Sequence, residues 1–312
     1  MRLGTIQEFS VTIPEPFDFR LTVAKPAGWH WSTRSETFED GVFRTGLRVG
    51  DVPVGLAMNA WKNKVRIRAF SEDPLGKNNT GELREIVRHG LGGDEDLTGF
   101  YAFAADDPVL AKAVGDHPGM RIGLVDDIFG SVTLAILLQM APINRSEQMM
   151  DALLTLAGTG IQFDGHAVTL WPRAEDVASL DPRILRKDAK LGYRAERLVA
   201  AAKYLEGHPI SLRDLAKIPE EEAMKTLIAI PGIGKYSAAI IFGQSTPPID
   251  AWSVVIMSEL YDHKTPKNSR QEIERIQKDL SARWGKWSWL AFAYILNDLE
   301  NLSKIYSLSR LE

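Results

Sequence analysis

An aspartate set behind two prolines, and a corner built on Pro-Gly-Ile-Gly, are the residues of this sequence best suited to chemistry. Both lie in residues 227–255, LIAIPGIGKYSAAIIFGQSTPPIDAWSVV. Gly232 and Gly234 permit positive φ and close approach of another backbone. The amides that open the following helix have no partner inside it, so they can hold an anion without formal charge. A DNA phosphate meets that description. Asp250 precedes the apolar run AWSVVIMSELY, where it is also an ordinary N-cap worth about 1 kcal/mol. The two roles are compatible. The helix dipole favours a charged carboxylate there. A carboxylate anion can stabilise a sugar carbon as it becomes cationic, or orient the water that attacks it.

The elements that must position these groups are legible on either side. Residues 220–230 read as a helix, with Ala223, Leu227 and Ile230 at helical spacing. Pro231 ends it, having no N–H and clashing with the turn before it. A second helix starts near Lys235 and runs through Ser237, Ala238, Ile241 and Phe242. A plain helical corner with a glycine cap would use the same glycines. The small residues Ser237 and Ala238, which allow tight crossing, extend the pattern over 220–243 to a helix-hairpin-helix. Pro247 and Pro248 keep 244–249 extended.

The remainder divides in texture. Segments 19–24, 41–49, 52–59 and 64–70 are short, partly alternating and punctuated by Gly, Pro and Asn, and they read as an antiparallel sheet. Gly50-Asp51 is a turn between two of them. From Asp107 onward the pattern is helical. The expected fold class is α+β, with a sheet domain over 1–104 and a helical body over 105–312. No apolar run is long enough to span a bilayer, and the N-terminus shows no secretory pattern. A cytoplasmic (nucleoid-associated) or nuclear location is expected. The absence of cysteine excludes disulfides, thiolate zinc sites and cysteine-ligated iron–sulfur clusters.

The hairpin followed by Asp250 resembles the helix-hairpin-helix DNA glycosylase superfamily, and most of all its 3-methyladenine DNA glycosylase II type. The resemblance extends to 127–141, with its Gln, to 171–186, to 191–207 and to the closing segment 283–297. It implies that Asp250 is the catalytic aspartate. Tyr236 falls where lyase relatives carry a Schiff-base lysine, which implies a monofunctional enzyme with water as nucleophile. Lys235 lies one residue early, turned by about 100°. The resemblance further implies that Gln139 and Met140 fill the gap left by a flipped nucleotide. Gly232, Gly234, Lys235 and Ser237 would bind phosphate, and Trp287 and Trp289 would join Tyr236 in the base pocket. Ile240 and Leu296 stand where relatives have aromatics. The carbonyls of Ile228, Ile230 and Ile233 would hold a structural Na+ or K+, with no cofactor required. The expected partner is double-stranded DNA containing damaged purines, bound by a monomer. Two alternatives stay open: an 8-oxoguanine-type glycosylase/lyase using a lysine such as Lys235, and a DNA-binding module without catalysis.

Charge argues the other way. The net charge is −4, whereas nucleic-acid binders generally carry a basic footprint. Locally the sign reverses: residues 183–217 hold nine Lys/Arg and four Asp/Glu, a balance of +5.

Overall fold

The computed structural model describes residues 1–243 and 245–311. Gln244, the first residue of the proline-rich segment, lies outside them. Five strands form one antiparallel sheet in the order β1-β5-β4-β3-β2: β1 Thr5–Thr12, β2 Thr37–Glu39, β3 Val42–Val49, β4 Val52–Trp61 and β5 Lys64–Ser71. Gly50-Asp51 joins β3 to β4 as expected, with Val49 paired to Val52 and Gly50 at φ 56°. The segment 19–24 is not a strand. Phe19–Val23 is a short helix, α1, because the Asp18 carboxylate accepts the Leu21 amide at 2.8 Å and caps it. Helices resume at Lys77, well before Asp107: α2 Lys77–Gly90, α3 Leu97–Ala104 and α4 Pro108–Asp116.

Period-two alternation gives the sheet two faces of different character. Val54, Leu56, Met58, Val65 and Ile67 bury one of them in a core that includes Leu83, Ile86 and Val87 of α2. The other face receives a hairpin from the helical body. After α5 (Ile128–Leu138) and α6 (Ile143–Ala157), strands β6 (Thr159–Phe163) and β7 (His166–Leu170) fold back onto β3 and β4. Glycines make room for it. A Cβ on Gly46 would lie 2.6 Å from Leu170, and one on Gly55 would lie 2.3 Å from Phe163. At the turn, Asp164 takes Arg44 at 3.1 Å and Arg68 at 2.9 Å.

The rest is helical: α7 Ala174–Ala178, α8 Pro182–Lys187, α9 Arg194–Gly207, α10 Leu212–Leu215, α11 Glu220–Ile228, α12 Lys235–Phe242, α13 Ser253–Tyr261, α14 Ser269–Trp284, α15 Ser288–Asn297 and α16 Leu299–Leu302. Two apolar clusters organise them. One draws on α5, α6, α9, α11 and α12, the other on α3, α4, α13, α14 and α15. Trp284 and Tyr294 are fully buried in the second, and truncating either aromatic would cost about 3–5 kcal/mol. The chain crosses from one cluster to the other between α12 and α13, the segment that carries Asp250. No helix among the described residues is long and apolar enough to cross a membrane.

Candidate functional site

Asp250 sits three residues ahead of α13 and organises its first turn. Its Oδ1 accepts the Trp252 amide at 3.0 Å, the Ser253 amide at 2.7 Å and the Ser253 hydroxyl at 2.8 Å. The Ser253 hydroxyl in turn accepts the Asp250 amide at 2.9 Å. The Asp250 carbonyl already accepts Val254 N–H, so the aspartate caps the turn although regular helix begins at Ser253. Its Oδ2 has one partner among the described residues, the Tyr236 hydroxyl at 3.3 Å. That bond spans the seam between the two clusters, joining α12 to the start of α13. Burial, and then the negative charge of Asp250, push the Tyr236 phenol further above its ordinary pKa. The phenol therefore stays a donor across the physiological range.

The corner before α12 matches the expected geometry, with its first helix ending at Ile228 rather than at 230. Gly232 has φ 85°, which favours glycine, and a Cβ there would meet Arg197 at 2.9 Å. Gly234 is extended, and a Cβ on it would face open space. Among the described residues the amides of Lys235, Tyr236 and Ser237 have no acceptor, so the anion-holding end of the helix is free. Lys235 is exposed and Tyr236 half-buried, as the 100° rotation requires.

Gln139 lies between the corner and α9. Its Nε2 donates to the Gly232 carbonyl at 2.8 Å and to Ser237 Oγ at 3.0 Å, while its Oε1 accepts Arg197 Nη1 at 2.6 Å. Arg194 and the Tyr193 hydroxyl both donate to the Gln139 carbonyl. Met140, next in the chain, has φ 49° and is 80% exposed. Such a conformation costs a methionine about 1–3 kcal/mol. Ile143 beside it is also exposed.

Three residues here were not singled out by the sequence: Tyr193, Arg194 and Arg197. Both guanidiniums lie over the Tyr193 ring, at 4.6 and 4.7 Å. They belong to the basic stretch 183–217, and their joint packing on Gln139 is a tertiary fact. Arg183, Arg186, Arg213 and Lys217 of that stretch are ion-paired. Lys187, Lys190, Arg194, Arg197 and Lys203 carry no ion pair among the described residues.

The two tryptophans separate. Trp289 packs on the end of the α12 stripe formed by Tyr236, Ile240 and Gly243: a Cβ on Gly243 would lie 3.0 Å from its Cε3. Its ring stacks on Trp29 at 6.4 Å, and its buried Nε1 has no acceptor among the described residues. Trp287 lies instead against Phe100 of α3, at 5.7 Å. Trp29, also unnoticed in the sequence, comes from the sheet region. Its loop is fastened by Glu36, which accepts the amides of Trp31, Ser32 and Thr33, and by Ala27 N–H to Asn297 Oδ1 at 3.0 Å.

No protein-family model matches the chain. A curated relative is the DNA-3-methyladenine glycosylase of Bacillus subtilis (strain 168). It is 22% identical over 295 residues, which cover 91% of this chain and 95% of that protein. Among solved structures, MBOgg1 in complex with a low-affinity DNA ligand superposes with a TM-score of 0.73 at 20% identity, over 96% of this chain and 99% of that one. The 3-methyladenine DNA glycosylase of Archaeoglobus fulgidus also gives 0.73, at 18% identity over 93% and 98%. The 8-oxoguanine glycosylase/lyase of Clostridium acetobutylicum, in complex with double-stranded DNA, gives 0.71 at 17% over 97% and 100%. The fold is the one these glycosylases share, sheet and helical body included.

Proposed function

We propose that this chain is a monofunctional DNA glycosylase that hydrolyses the N-glycosidic bond of alkylated purines in duplex DNA, acting as a monomer. One observation carries the reading: the group facing the free oxygen of Asp250 is the Tyr236 phenol, not an amine. A phenol held protonated by burial forms no Schiff base, and Lys235 points to solvent. The fold alone is compatible with both alkylpurine and 8-oxoguanine enzymes; Tyr236 favours the first.

In this mechanism the damaged purine nucleotide is flipped out of the stack at a cost of a few kcal/mol. Met140, projecting and strained, is the apolar wedge that fills the gap. Gln139 holds the wedge against the corner, and Arg194 and Arg197 with Tyr193 supply the basic surface beside it. The amides of Lys235, Tyr236 and Ser237 grip a phosphate. The base enters along the Tyr236–Gly243 stripe, where a cationic alkylated purine gains from aromatic faces. Trp287 serves as support from its place against Phe100. As the bond breaks, Oδ2 of Asp250 faces the developing sugar cation and water completes the hydrolysis. The corner can also hold a monovalent cation. The Ile228 and Ile233 carbonyls accept no hydrogen bond among the described residues, and that of Ile230 accepts only Ile233 N–H.

The test is release of free methylpurines from methylated DNA by the wild type and by Asp250→Asn, with borohydride present in parallel. Release by the wild type alone, without a covalent DNA adduct, is the expected result. A trapped adduct would move the chain to the lyase class. Equal release by both proteins would remove Asp250 from the chemistry.

A further inference from the structure

The sheet face that receives β6 and β7 is covered only in part. Over Gly46 and Gly55 the hairpin closes it, and Asp164 neutralises Arg44 and Arg68. Toward the β4–β5 turn it runs on uncovered. There Trp61 pairs with Lys64 and Asn59 with Arg66, while Thr12 and Ser10 of β1 pair with the same two cations. Register partners project to the same side, so these side chains rise together. Lys62, Lys64 and Arg66 are exposed and carry no ion pair among the described residues. Trp61 is 58% exposed, with the Arg66 guanidinium 4.7 Å and the Lys62 ammonium 6.0 Å from its ring centroid. Residues 52–71 hold four Lys/Arg and no Asp/Glu in a chain whose net charge is −4.

We propose that this hairpin tip is a second nucleic-acid contact, separate from the Asp250 corner, and that it takes single-stranded DNA. The chemistry selects the ligand. Three unpaired cations in a row call for a polyanion, and an exposed indole among them calls for a flat apolar partner. Phosphates alternating with unstacked bases supply both. Bases inside a duplex are already stacked and cannot cover the indole, so an unpaired strand fits and an intact duplex does not. The proposal does not depend on the glycosylase reading.

The experiment is fluorescence anisotropy of a labelled oligothymidylate of about 16 nucleotides, the upper range of a single such site. It compares the full-length wild type, Trp61→Ala, Trp61→Phe, and the combined Lys62→Glu, Lys64→Glu, Arg66→Glu variant, each checked for an unchanged melting curve. Trp61→Ala should weaken binding about tenfold and Trp61→Phe much less. The triple variant should lower the slope of log affinity against log salt by about 2, at roughly 0.7 per phosphate on a single strand. Base release from a short lesion-bearing duplex should stay at wild-type level in all of them. The proposal falls if Trp61→Ala binds as the wild type does, or if the triple variant keeps its slope. Parallel loss of short-duplex affinity would also overturn it, since the hairpin would then belong to the duplex interface. A wild type that releases no alkylated base would end the alkylpurine reading and leave this binding test intact.

Discussion

Glu36 and Asp250 are both held by backbone amides, and they are held differently. Glu36 uses both oxygens: one takes the Trp31 amide, the other takes the Ser32 amide at 3.0 Å, the Thr33 amide at 3.2 Å and the Thr45 hydroxyl at 3.1 Å. Asp250 gathers three donors on Oδ1 and leaves Oδ2 to a single long phenol bond. Glu36 is consumed by the loop it fastens. Asp250 is fixed through one atom and available through the other. A carboxylate that caps a turn through one oxygen is oriented without being used up, which makes its capping role compatible with the chemical one proposed for it.

The largest expected effect lies on the reserved oxygen. Asp250→Asn keeps an acceptor for the Ser253 turn but removes the charge, so base release should fall about 100- to 1,000-fold, the scale of losing one preorganised electrostatic contact. Its melting temperature should stay near that of the wild type. A large drop in melting temperature with residual activity would break the comparison by making Asp250 another Glu36.

A third carboxylate gives the next effect, in stability. Glu95 accepts the Ile122 amide with both oxygens, at 2.9 and 3.2 Å. Burial, opposed by Arg121 and Lys25, raises its pKa to about 7. The folded state then holds a proton that the unfolded chain releases near its ordinary value of 4.5. Stability from this group is full below about 4.5 and is lost as pH rises toward about 7, by on the order of 3 kcal/mol. Denaturant unfolding across that window should show the decline, and Glu95→Gln should flatten it. A flat wild-type profile would mean that Glu95 ionises as freely as a surface group.

Glu36→Gln should act on the fold and leave the chemistry alone. The new amide would aim two donors at a nest of donors, at a cost of about 1–3 kcal/mol. The turnover of the folded fraction should be preserved, with base affinity altered only through Trp29.

How much of this was readable in the sequence follows from contact range. The Pro-Gly-Ile-Gly corner and Asp250 were legible because glycine and proline act on their own neighbours, and each donor to Asp250 Oδ1 lies within three residues. The strand reading of 19–24 failed because five residues alternate as well in a capped helical turn, and the Asp18 cap decided it. The return of β6 and β7 to the sheet was out of reach. It depends on Gly46 and Gly55 leaving space for Leu170 and Phe163, residues more than a hundred positions away. Trp29 was missed for the same reason, since the Ala27–Asn297 bond joins opposite ends of the chain. The positive balance of 183–217 was visible, but only its packing on Gln139 distinguishes Arg194 and Arg197 from the ion-paired arginines beside them.

The smallest expected effect probes the single bond on Oδ2. Tyr236→Phe keeps the ring against the α12 stripe and removes only the hydroxyl. Hydrogen bonds to a charged group are worth about 1.5–3 kcal/mol, and one as long as 3.3 Å belongs at the low end. Single-turnover base release should therefore fall about tenfold, with affinity for lesion-bearing duplex unchanged because the stacking surface is intact. Tyr236→Leu, which removes the ring as well, should lose affinity in addition. If Tyr236→Phe instead matched the wild-type rate, the phenol would be a stacking surface alone, and Oδ2 would hold its orientation entirely through the three donors on Oδ1. If it released bases faster, the hydroxyl would be a plug that the entering base displaces, and the reserve of Asp250 would be guarded rather than merely left open.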